Sequence, residues 1–130
     1  MKPLQDYFGE KLTEVEFFNA DLNDAQSLED AIKGCDFVIH TASPVGLSNP
    51  RNHDEMIKPA VNGVTFAIEA AQKHKIKRIV ITSSVAAVSH VAPENELEAY
   101  DENSWSDVVT ADFSAYVKSK TLAERAAWDF

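Results

Sequence analysis

Two residues four apart in the chain, Tyr116 and Lys120, have the types and the spacing that proton chemistry needs. In a helix they would share one face, about 6 Å apart along the helix axis. A phenol is a weak acid, with an ordinary pKa of about 10, and a neighbouring ammonium favours its phenolate form. A tyrosine in this setting can donate a proton to a carbonyl oxygen while a hydride reaches the carbonyl carbon.

The spacing by itself does not distinguish a catalytic pair from a structural one, because Tyr7 and Lys11 are also four residues apart. Such a pair is most often a half-buried aromatic ring beside a solvated lysine. The context separates the two pairs, since an apolar run at 78–82 predicts a buried strand that leads to Ser84, and no such strand precedes Tyr7. Open α/β sheets bind ligands at the carboxyl ends of their strands, so Ser84 could hold a carbonyl oxygen near Tyr116.

Composition limits the classes of protein to consider. The 130 residues allow one domain, and 45% hydrophobic with 25% charged residues is typical of a globular chain. A net charge of −9 argues against nucleic acid or an anionic membrane as a partner. The single cysteine, Cys35, excludes an internal disulfide, and no stretch has the length of a membrane span, so a cytoplasmic location is expected. No histidine has metal-ligand spacing, and His40 is predicted to be a satisfied core residue.

Strands and helices are predicted to alternate along the chain. Strands are expected at 15–20, 36–42 and 78–82. The helices are expected to run from an N-cap at Ser27 to Gly34, over 54–74 with Gly63 packed closely against a neighbour, and from about 113 to the end. Residues 1–11 read as the end of a helix or a loop, and 91–112 as a long acidic loop. This alternation predicts an α/β fold with a doubly wound parallel sheet.

Six stretches resemble the extended short-chain dehydrogenase/reductases of the NAD-dependent epimerase/dehydratase superfamily. Within that superfamily they are similar to the dihydroflavonol 4-reductase-like and cinnamoyl-CoA reductase-like branch. The stretches span most of the chain, in order, and are specific as a set. They are ADL at 20–22, AIKGCDFVIHTASP at 31–44, IKPAVNG at 57–63, ITSSVAAV at 81–88, DENSWSD at 101–107 and YVKSKTLAERAAW at 116–128.

The resemblance implies an oxidoreductase that reduces the ketone or aldehyde of a small molecule to an alcohol, with hydride from a nicotinamide cofactor. Ser84 would orient the substrate carbonyl, and Tyr116 would donate the proton. Lys120 would favour the phenolate form of Tyr116 and bind the nicotinamide ribose, so Tyr116 and Lys120 also count as cofactor-binding residues.

Five further residues are implied to contact the cofactor. Asp21 would accept a hydrogen bond from the adenine amino group, and Leu22 would lie along the adenine. Thr41, Ala42 and Ser43 would line the middle and nicotinamide half of the cofactor. NADP(H) is favoured over NAD(H), although the side chains that separate the two follow the second strand of the family, before residue 1. Without the resemblance, an aspartate that follows a strand, such as Asp21, is usually a turn residue or a helix cap.

The chain departs from the family at the phosphate-binding turn. Dinucleotide-binding folds of this kind open with a strand and a glycine-rich turn that seats the pyrophosphate. The four glycines, at positions 9, 34, 46 and 63, are too far apart to form it. Residues 1–130 are therefore expected to be one partial Rossmann-like domain, the central segment of a longer reductase, without the first two strands and the C-terminal substrate region.

Two classes of function stay open. The chain is either a segment of a nicotinamide-dependent carbonyl reductase, or a non-catalytic product that does not bind cofactor, such as a truncated paralogue or a fragment that depends on a partner. Without the first two strands, the strand at 15–20 has no neighbour and the strand at 36–41 has a bare edge. Residues 1–130 alone are therefore expected to be inactive and to fold poorly or self-associate. The substrate and the oligomeric state are not specified by the sequence.

Overall fold

The structure is a computed structural model that describes residues 2–46, 50–91, 99–109 and 113–130. The predicted acidic loop at 91–112 therefore lies partly outside the described residues, which leave out 92–98 and 110–112. The described elements are four helices, two strands and two short 3-10 turns. In chain order they are α1 (Lys2–Phe8), a 3-10 turn (Gly9–Glu14), α2 (Ala25–Ile32), β1 (Phe37–His40), α3 (Asp54–Lys73), β2 (Arg78–Ile81), a 3-10 turn (Val85–Ala87) and α4 (Ala115–Trp128).

The two strands form a parallel pair with a helical crossover, which confirms the predicted class of sheet. Phe37 lies opposite Arg78 and His40 lies opposite Ile81. The backbone N–H of Thr82 extends the ladder by donating to the carbonyl of His40 at 3.0 Å. Parallel pairing brings the carboxyl ends of β1 and β2 to the same edge of the sheet. The residues that follow both strands therefore become neighbours in space.

The hydrophobic core lies on one face of this sheet, between the strands and the helices α3 and α4. Small and branched side chains fill it in two clusters: Ile32, Ala67 and Ala70 with Val38 and Ile79, and Ala60, Val64 and Ala123 with Ile81. Alanines dominate the helix faces, which lets the helices approach the strands closely.

The opposite face of the sheet is exposed in the described structure. Phe37, Ile39 and Val80 are 64%, 74% and 51% exposed. Large apolar side chains grouped on a sheet beside a free strand edge favour association with other chains. Self-association of residues 1–130 stays a prediction.

The strand expected at 15–20 was a wrong prediction, since these residues form no strand. Val15, Phe17 and Phe18 are 47%, 53% and 56% exposed. A strand exists through its hydrogen bonds to a neighbour, and the described part of the chain places no strand beside this segment. Its aromatic and β-branched composition was therefore not enough to form one.

The start of α2 also differs from the prediction of a cap at Ser27. The helix is capped by Asp24, whose Oδ1 accepts hydrogen bonds from the backbone N–H groups of Gln26 at 3.0 Å and Ser27 at 3.3 Å. The Ser27 hydroxyl instead donates to the Asp24 carbonyl at 2.8 Å. Gly34 has a φ of +87°, a left-handed conformation that ends the helix as predicted.

Contacts from α3 hold the turn before α2 and the end of α2 in place. A Cβ added at Gly63 would lie 2.5 Å from Cδ2 of Leu22, which confirms the predicted close packing at this glycine. At the other end, the Glu29 carboxylate pairs with Lys73 at 2.7 Å and His74 at 3.1 Å. Hydrogen bonds from Lys73, and then from His74, lower the pKa of Glu29. The contacts of Glu29 with Lys73 and His74 therefore hold α2 to the end of α3 while Glu29 is ionised.

Ser106 fixes the 3-10 turn that follows Ser84. Its fully buried hydroxyl donates to the Ala86 carbonyl and accepts from the His90 N–H, both at 2.8 Å. Its backbone N–H donates to the Ala87 carbonyl at 2.9 Å. Sequence reasoning placed this serine in an acidic loop and missed its role, because the three bonds join segments about twenty residues apart.

The contact between Gly63 and Leu22 predicts a substitution effect that depends on its background. In the natural gene product that carries residues 1–130, Gly63→Ala should lower the free energy of unfolding by about 1–3 kcal/mol, because the new methyl group overlaps Leu22. After Leu22→Ala has removed the overlap, Gly63→Ala should be neutral or stabilising by up to about 1 kcal/mol, through helix propensity. Urea denaturation of the unsubstituted protein, the two single variants and the double variant measures the effect of Gly63→Ala in each background. Equal costs in the two backgrounds would contradict the contact.

Ser106→Ala should lower the free energy of unfolding by about 1–3 kcal/mol, because it leaves a buried carbonyl and a backbone N–H without their partner. Ser104→Ala is the matched control, since the Ser104 hydroxyl bonds to Asp101 in an exposed turn. We expect a loss below about 1 kcal/mol for this control. Thermal denaturation followed by circular dichroism compares the two, and similar losses would refute the role of Ser106.

Candidate functional site

Ser84 lies just beyond the carboxyl end of β2, at the start of the 3-10 turn Val85–Ala87. Its Oγ accepts a hydrogen bond from the Ala86 N–H at 3.2 Å and thereby caps the turn. The turn is fixed in place by Ser106, so the hydroxyl of Ser84 has a defined position at the edge of the sheet. This is the placement that the sequence predicted for it.

The helix α4 carries the other two residues of the predicted trio. Ser114 caps it by accepting from the Val117 N–H at 3.4 Å. Tyr116 and Lys120 then lie one turn apart on one face, and the Tyr116 hydroxyl donates to Ser84 Oγ at 3.5 Å. The fold therefore brings Ser84, Tyr116 and Lys120 together from two separate elements.

Lys120 is a buried cation, only 8% exposed. Its Nζ lies 5.9 Å from the centre of the Tyr116 ring. In the described part of the chain the ion pairs join other side chains, and none brings a carboxylate to Lys120. A buried charge without a counterion acts strongly on its surroundings, so negative charge that develops on the Tyr116 oxygen would be stabilised.

The hydrogen bonds of the two hydroxyls determine what they can offer to a ligand. Ser84 Oγ accepts from both Ala86 and Tyr116. A hydroxyl has two acceptor lone pairs and one donor hydrogen, so the hydrogen of Ser84 is available to bond an incoming oxygen. The one hydroxyl hydrogen of Tyr116 bonds Ser84 Oγ in the described structure. If it turned from Ser84 to an acceptor oxygen bound beside both hydroxyls, that oxygen would receive hydrogen bonds from both residues.

Glu124, which the sequence analysis did not select, lies one turn beyond Lys120 on α4. It accepts a short hydrogen bond from the Ser83 hydroxyl, and its Oε1 accepts from the Trp128 Nε1–H at 3.4 Å. These two bonds hold the carboxylate, and it does not pair with Lys120. The repeat of four residues from Tyr116 through Lys120 and Glu124 to Trp128 was the available sequence signal.

His40, at the carboxyl end of β1, is buried as predicted, with 8% of its surface exposed. The prediction that it is a satisfied core residue was wrong, because its Nε2 has no hydrogen-bond partner among residues 2–46, 50–91, 99–109 and 113–130. Burial, and then the positive charge of Lys120, lower the pKa of His40. The imidazole is therefore neutral at neutral pH.

A cavity of about 440 Å³ lies between β2, α3 and α4, and His40 and Lys120 both line it. Ala42 and Ser43, two of the three residues predicted to contact the cofactor after β1, also line it, whereas Thr41 is exposed outside it. The remaining wall has three polar residues, Thr82, Ser83 and Glu124, and a set of apolar ones: Val64, Ile68, Ile79, Ile81, Ala123, Ala127, Trp128 and Phe130.

Asp21 and Leu22 have local roles in the described structure. Asp21 Oδ1 accepts from the Asn23 N–H at 2.8 Å, and the Asp21 N–H donates to the Ser27 hydroxyl at 2.9 Å. Leu22 packs over Gly63. These contacts are those of a turn residue and a packing residue, and the adenine contacts inferred from the resemblance stay predictions.

Across the described ranges, no helix combines the length and the apolar character that a bilayer crossing requires.

Comparison with known proteins gives consistent matches. The model of the 3-beta hydroxysteroid dehydrogenase/isomerase family matches residues 3–128. Cinnamoyl-CoA reductase 1 of Arabidopsis thaliana is 47% identical over 116 residues, which cover 85% of this chain and 31% of that protein. Dihydroflavonol 4-reductase of the same plant is 41% identical over 124 residues, which cover 91% of this chain and 32% of that protein. The chain thus spans about a third of the length of these curated relatives.

Among solved structures, the yeast methylglyoxal/isovaleraldehyde reductase Gre2 complexed with NADPH superposes with a TM-score of 0.78 at 29% identity. The superposition covers 98% of this chain and 41% of the yeast protein. The two-stranded parallel sheet is therefore part of a Rossmann-like fold. The chain belongs to the 3-beta hydroxysteroid dehydrogenase/isomerase family, among the extended short-chain reductases and in the branch of dihydroflavonol 4-reductase and cinnamoyl-CoA reductase, as its motifs predicted.

Proposed function

We propose that the protein carrying this chain is a nicotinamide-dependent reductase that converts a small ketone or aldehyde to an alcohol. The observation that carries the proposal is the bond from the Tyr116 hydroxyl to Ser84 Oγ at 3.5 Å, one helical turn from the buried Lys120. The relatives support the same class, since those matched over most of this chain are reductases by name. In this proposal residues 1–130 form a single partial Rossmann-like domain, the central segment of a longer reductase.

The three residues have distinct roles in the reaction. Ser84, held by Ala86, donates its free hydrogen to the carbonyl oxygen of the substrate and sets its orientation. Tyr116 donates its proton to the same oxygen as that oxygen gains negative charge. Lys120 stabilises the phenolate that remains, because its charge has no carboxylate partner in the described structure. The substrate gains one hydride and one proton, which together reduce the carbonyl to an alcohol.

The described residues fit one half of a nicotinamide cofactor. When bound, the cofactor supplies the hydride. Lys120 has ammonium hydrogens to donate to ribose hydroxyls, and Ala42 and Ser43 present small side chains beside it at the end of β1. We take NADP(H) as the cofactor because the superposed Gre2 was solved with NADPH.

The glycines supply no seat for the cofactor pyrophosphate. Gly9 and Gly34 have positive φ values at the ends of helical segments, and Gly63 packs inside α3 against Leu22. The second candidate function, a non-catalytic product that does not bind cofactor, therefore stays open. In that case the arrangement of Ser84, Tyr116 and Lys120 would be inherited without activity.

Replacing Tyr116 with phenylalanine in the natural gene product should test the proton donor. We expect turnover to fall by a factor of about 100 or more, because the general acid is removed. The affinity for NADPH should change little, since the ring and Lys120 remain. Steady-state reduction of a panel of small ketones and aldehydes, followed by NADPH consumption, measures turnover.

Tyr7→Phe is the matched control, because Tyr7 also precedes a lysine by four residues but is 83% exposed. It should leave turnover unchanged. If Tyr116→Phe reduced aldehydes and ketones as fast as the unsubstituted protein, the assignment of Tyr116 would be wrong.

Titration with NADPH separates the two candidate functions. The natural gene product should bind NADPH, as measured by the change in cofactor fluorescence, if it is a reductase. Residues 1–130 alone should bind it weakly or not at all, because the pyrophosphate interacts best with a glycine-rich turn that they lack. A folded gene product that neither binds NADPH nor turns over any carbonyl would favour the non-catalytic alternative.

A further inference from the structure

The buried imidazole of His40 faces the cavity that Lys120 also lines. Its Nε2 has no hydrogen-bond partner in the described part of the chain, although more than nine-tenths of the residue is buried. A buried polar atom without a partner costs free energy, so a native structure usually supplies one. The cavity is the place from which such a partner can reach Nε2.

The groups that face His40 within the cavity leave few candidates for that partner. From α3 the wall is Val64 and Ile68, and from β2 it is Ile79 and Ile81, which are all apolar. The charged groups come from α4, namely Lys120 and Glu124, and three hydroxyl residues, Ser43, Thr82 and Ser83, also line the cavity. Glu124 is an acceptor, already bonded to Ser83 and Trp128. Lys120 is therefore the charged donor that faces this imidazole.

Protonation decides whether the imidazole can accept a hydrogen bond. Burial and the positive charge of Lys120 both lower the pKa of His40, so the ring is neutral at neutral pH. A neutral imidazole has one donor and one acceptor nitrogen. In the tautomer that carries its proton on Nδ1, the buried Nε2 is the acceptor.

We propose that His40 is a positioning residue for Lys120, with Nε2 accepting a hydrogen bond from a water molecule that itself accepts one from the Lys120 ammonium. The cavity of about 440 Å³ has room for this water, and His40 Nε2 and the Lys120 ammonium would give it two polar partners. The bridge would hold the ammonium at the end of its flexible four-carbon stem beside Tyr116. The role of Lys120 in the reaction, on which this assignment rests, is that of the proposed function.

Nitrogen-15 NMR of the natural gene product, labelled at histidine, tests the bridge without any turnover. We expect His40 to be neutral at pH 7, with an unprotonated Nε2 and a proton on Nδ1. In the Lys120→Met variant the titration midpoint of His40 should move to higher pH, because the nearby positive charge no longer opposes protonation. The proposal would be overturned by a proton on Nε2 at pH 7. It would also be overturned if the titration midpoint of His40 were the same in Lys120→Met as in the unsubstituted protein.

Kinetics of two substitutions give a second readout. His40→Leu removes the acceptor and should lower kcat by a factor of about 10 or more, as expected for loss of a hydrogen bond that orients a charged group. In the direction of alcohol oxidation, the rise of the rate with pH should also move to higher pH, because the phenolate of Tyr116 loses part of its stabilisation. His40→Gln can place an amide oxygen near the position of Nε2. It should therefore restore most of kcat and most of the original pH dependence of alcohol oxidation.

His74→Leu is the matched control, since His74 is a partly buried histidine that pairs with Glu29 far from the cavity. It should lower the free energy of unfolding and leave the pH dependence of alcohol oxidation unchanged. If His40→Leu changes only stability, as His74→Leu does, the positioning role is wrong. If His40→Leu does not fold, the pH profile of His40→Gln and the tautomer of His40 measured by NMR still test the positioning role.

The outcomes separate this proposal from the proposed function. Unchanged turnover in Tyr116→Phe would refute the proton donor, whatever the tautomer of His40. A large loss in Tyr116→Phe together with an unmoved pH profile in His40→Leu would refute the positioning role alone.

Discussion

The parallel pairing of β1 with β2 is the constraint on which the site depends. It places the segments after His40 and after Ile81 at one edge of the sheet, as the register requires. The helix α4 packs against α3 and β2 through Ala123 on the same face, and this packing sets the distance between Tyr116 and Ser84. Loss of the pairing would separate the serine from the imidazole, and no local interaction could restore their geometry.

The charge of Lys120 is the second determining feature, because none of the ion pairs among the described residues gives it a counterion. Glu124 is close along α4, yet Ser83 and Trp128 hold its carboxylate. An ion pair between Lys120 and Glu124 would stabilise the resting protein and weaken the effect of the ammonium on Tyr116. In the proposed function, the charge of Lys120 would therefore act on Tyr116 rather than on a carboxylate partner.

The parts of this arrangement that were predictable from sequence follow from local periodicity. The long helix over Asp54–Lys73, the strand at Arg78–Ile81 and the shared face of Tyr116 and Lys120 each follow from spacing within one element. The failures were of another kind. The segment at 15–20 lacks a neighbouring strand, and Ser106, Glu124 and the unpartnered Nε2 of His40 acquire their roles from residues distant in sequence. Composition does not encode such contacts, so they required the folded structure.

The described residues contain the groups for proton transfer but not those for binding a whole dinucleotide, and this difference has a structural reason. Proton transfer needs three side chains within a few ångströms, which one strand end and one helix provide. Binding a dinucleotide needs an extended surface and a glycine-rich turn. Gly9 and Gly34 instead lie at the ends of helical segments, and Gly63 packs against Leu22. The proton-transfer geometry therefore forms from the local packing of α4 on β2 and α3. In the proposed function, catalysis would also need cofactor contacts, and among the described residues Ala42, Ser43 and Lys120 would supply those at the nicotinamide end.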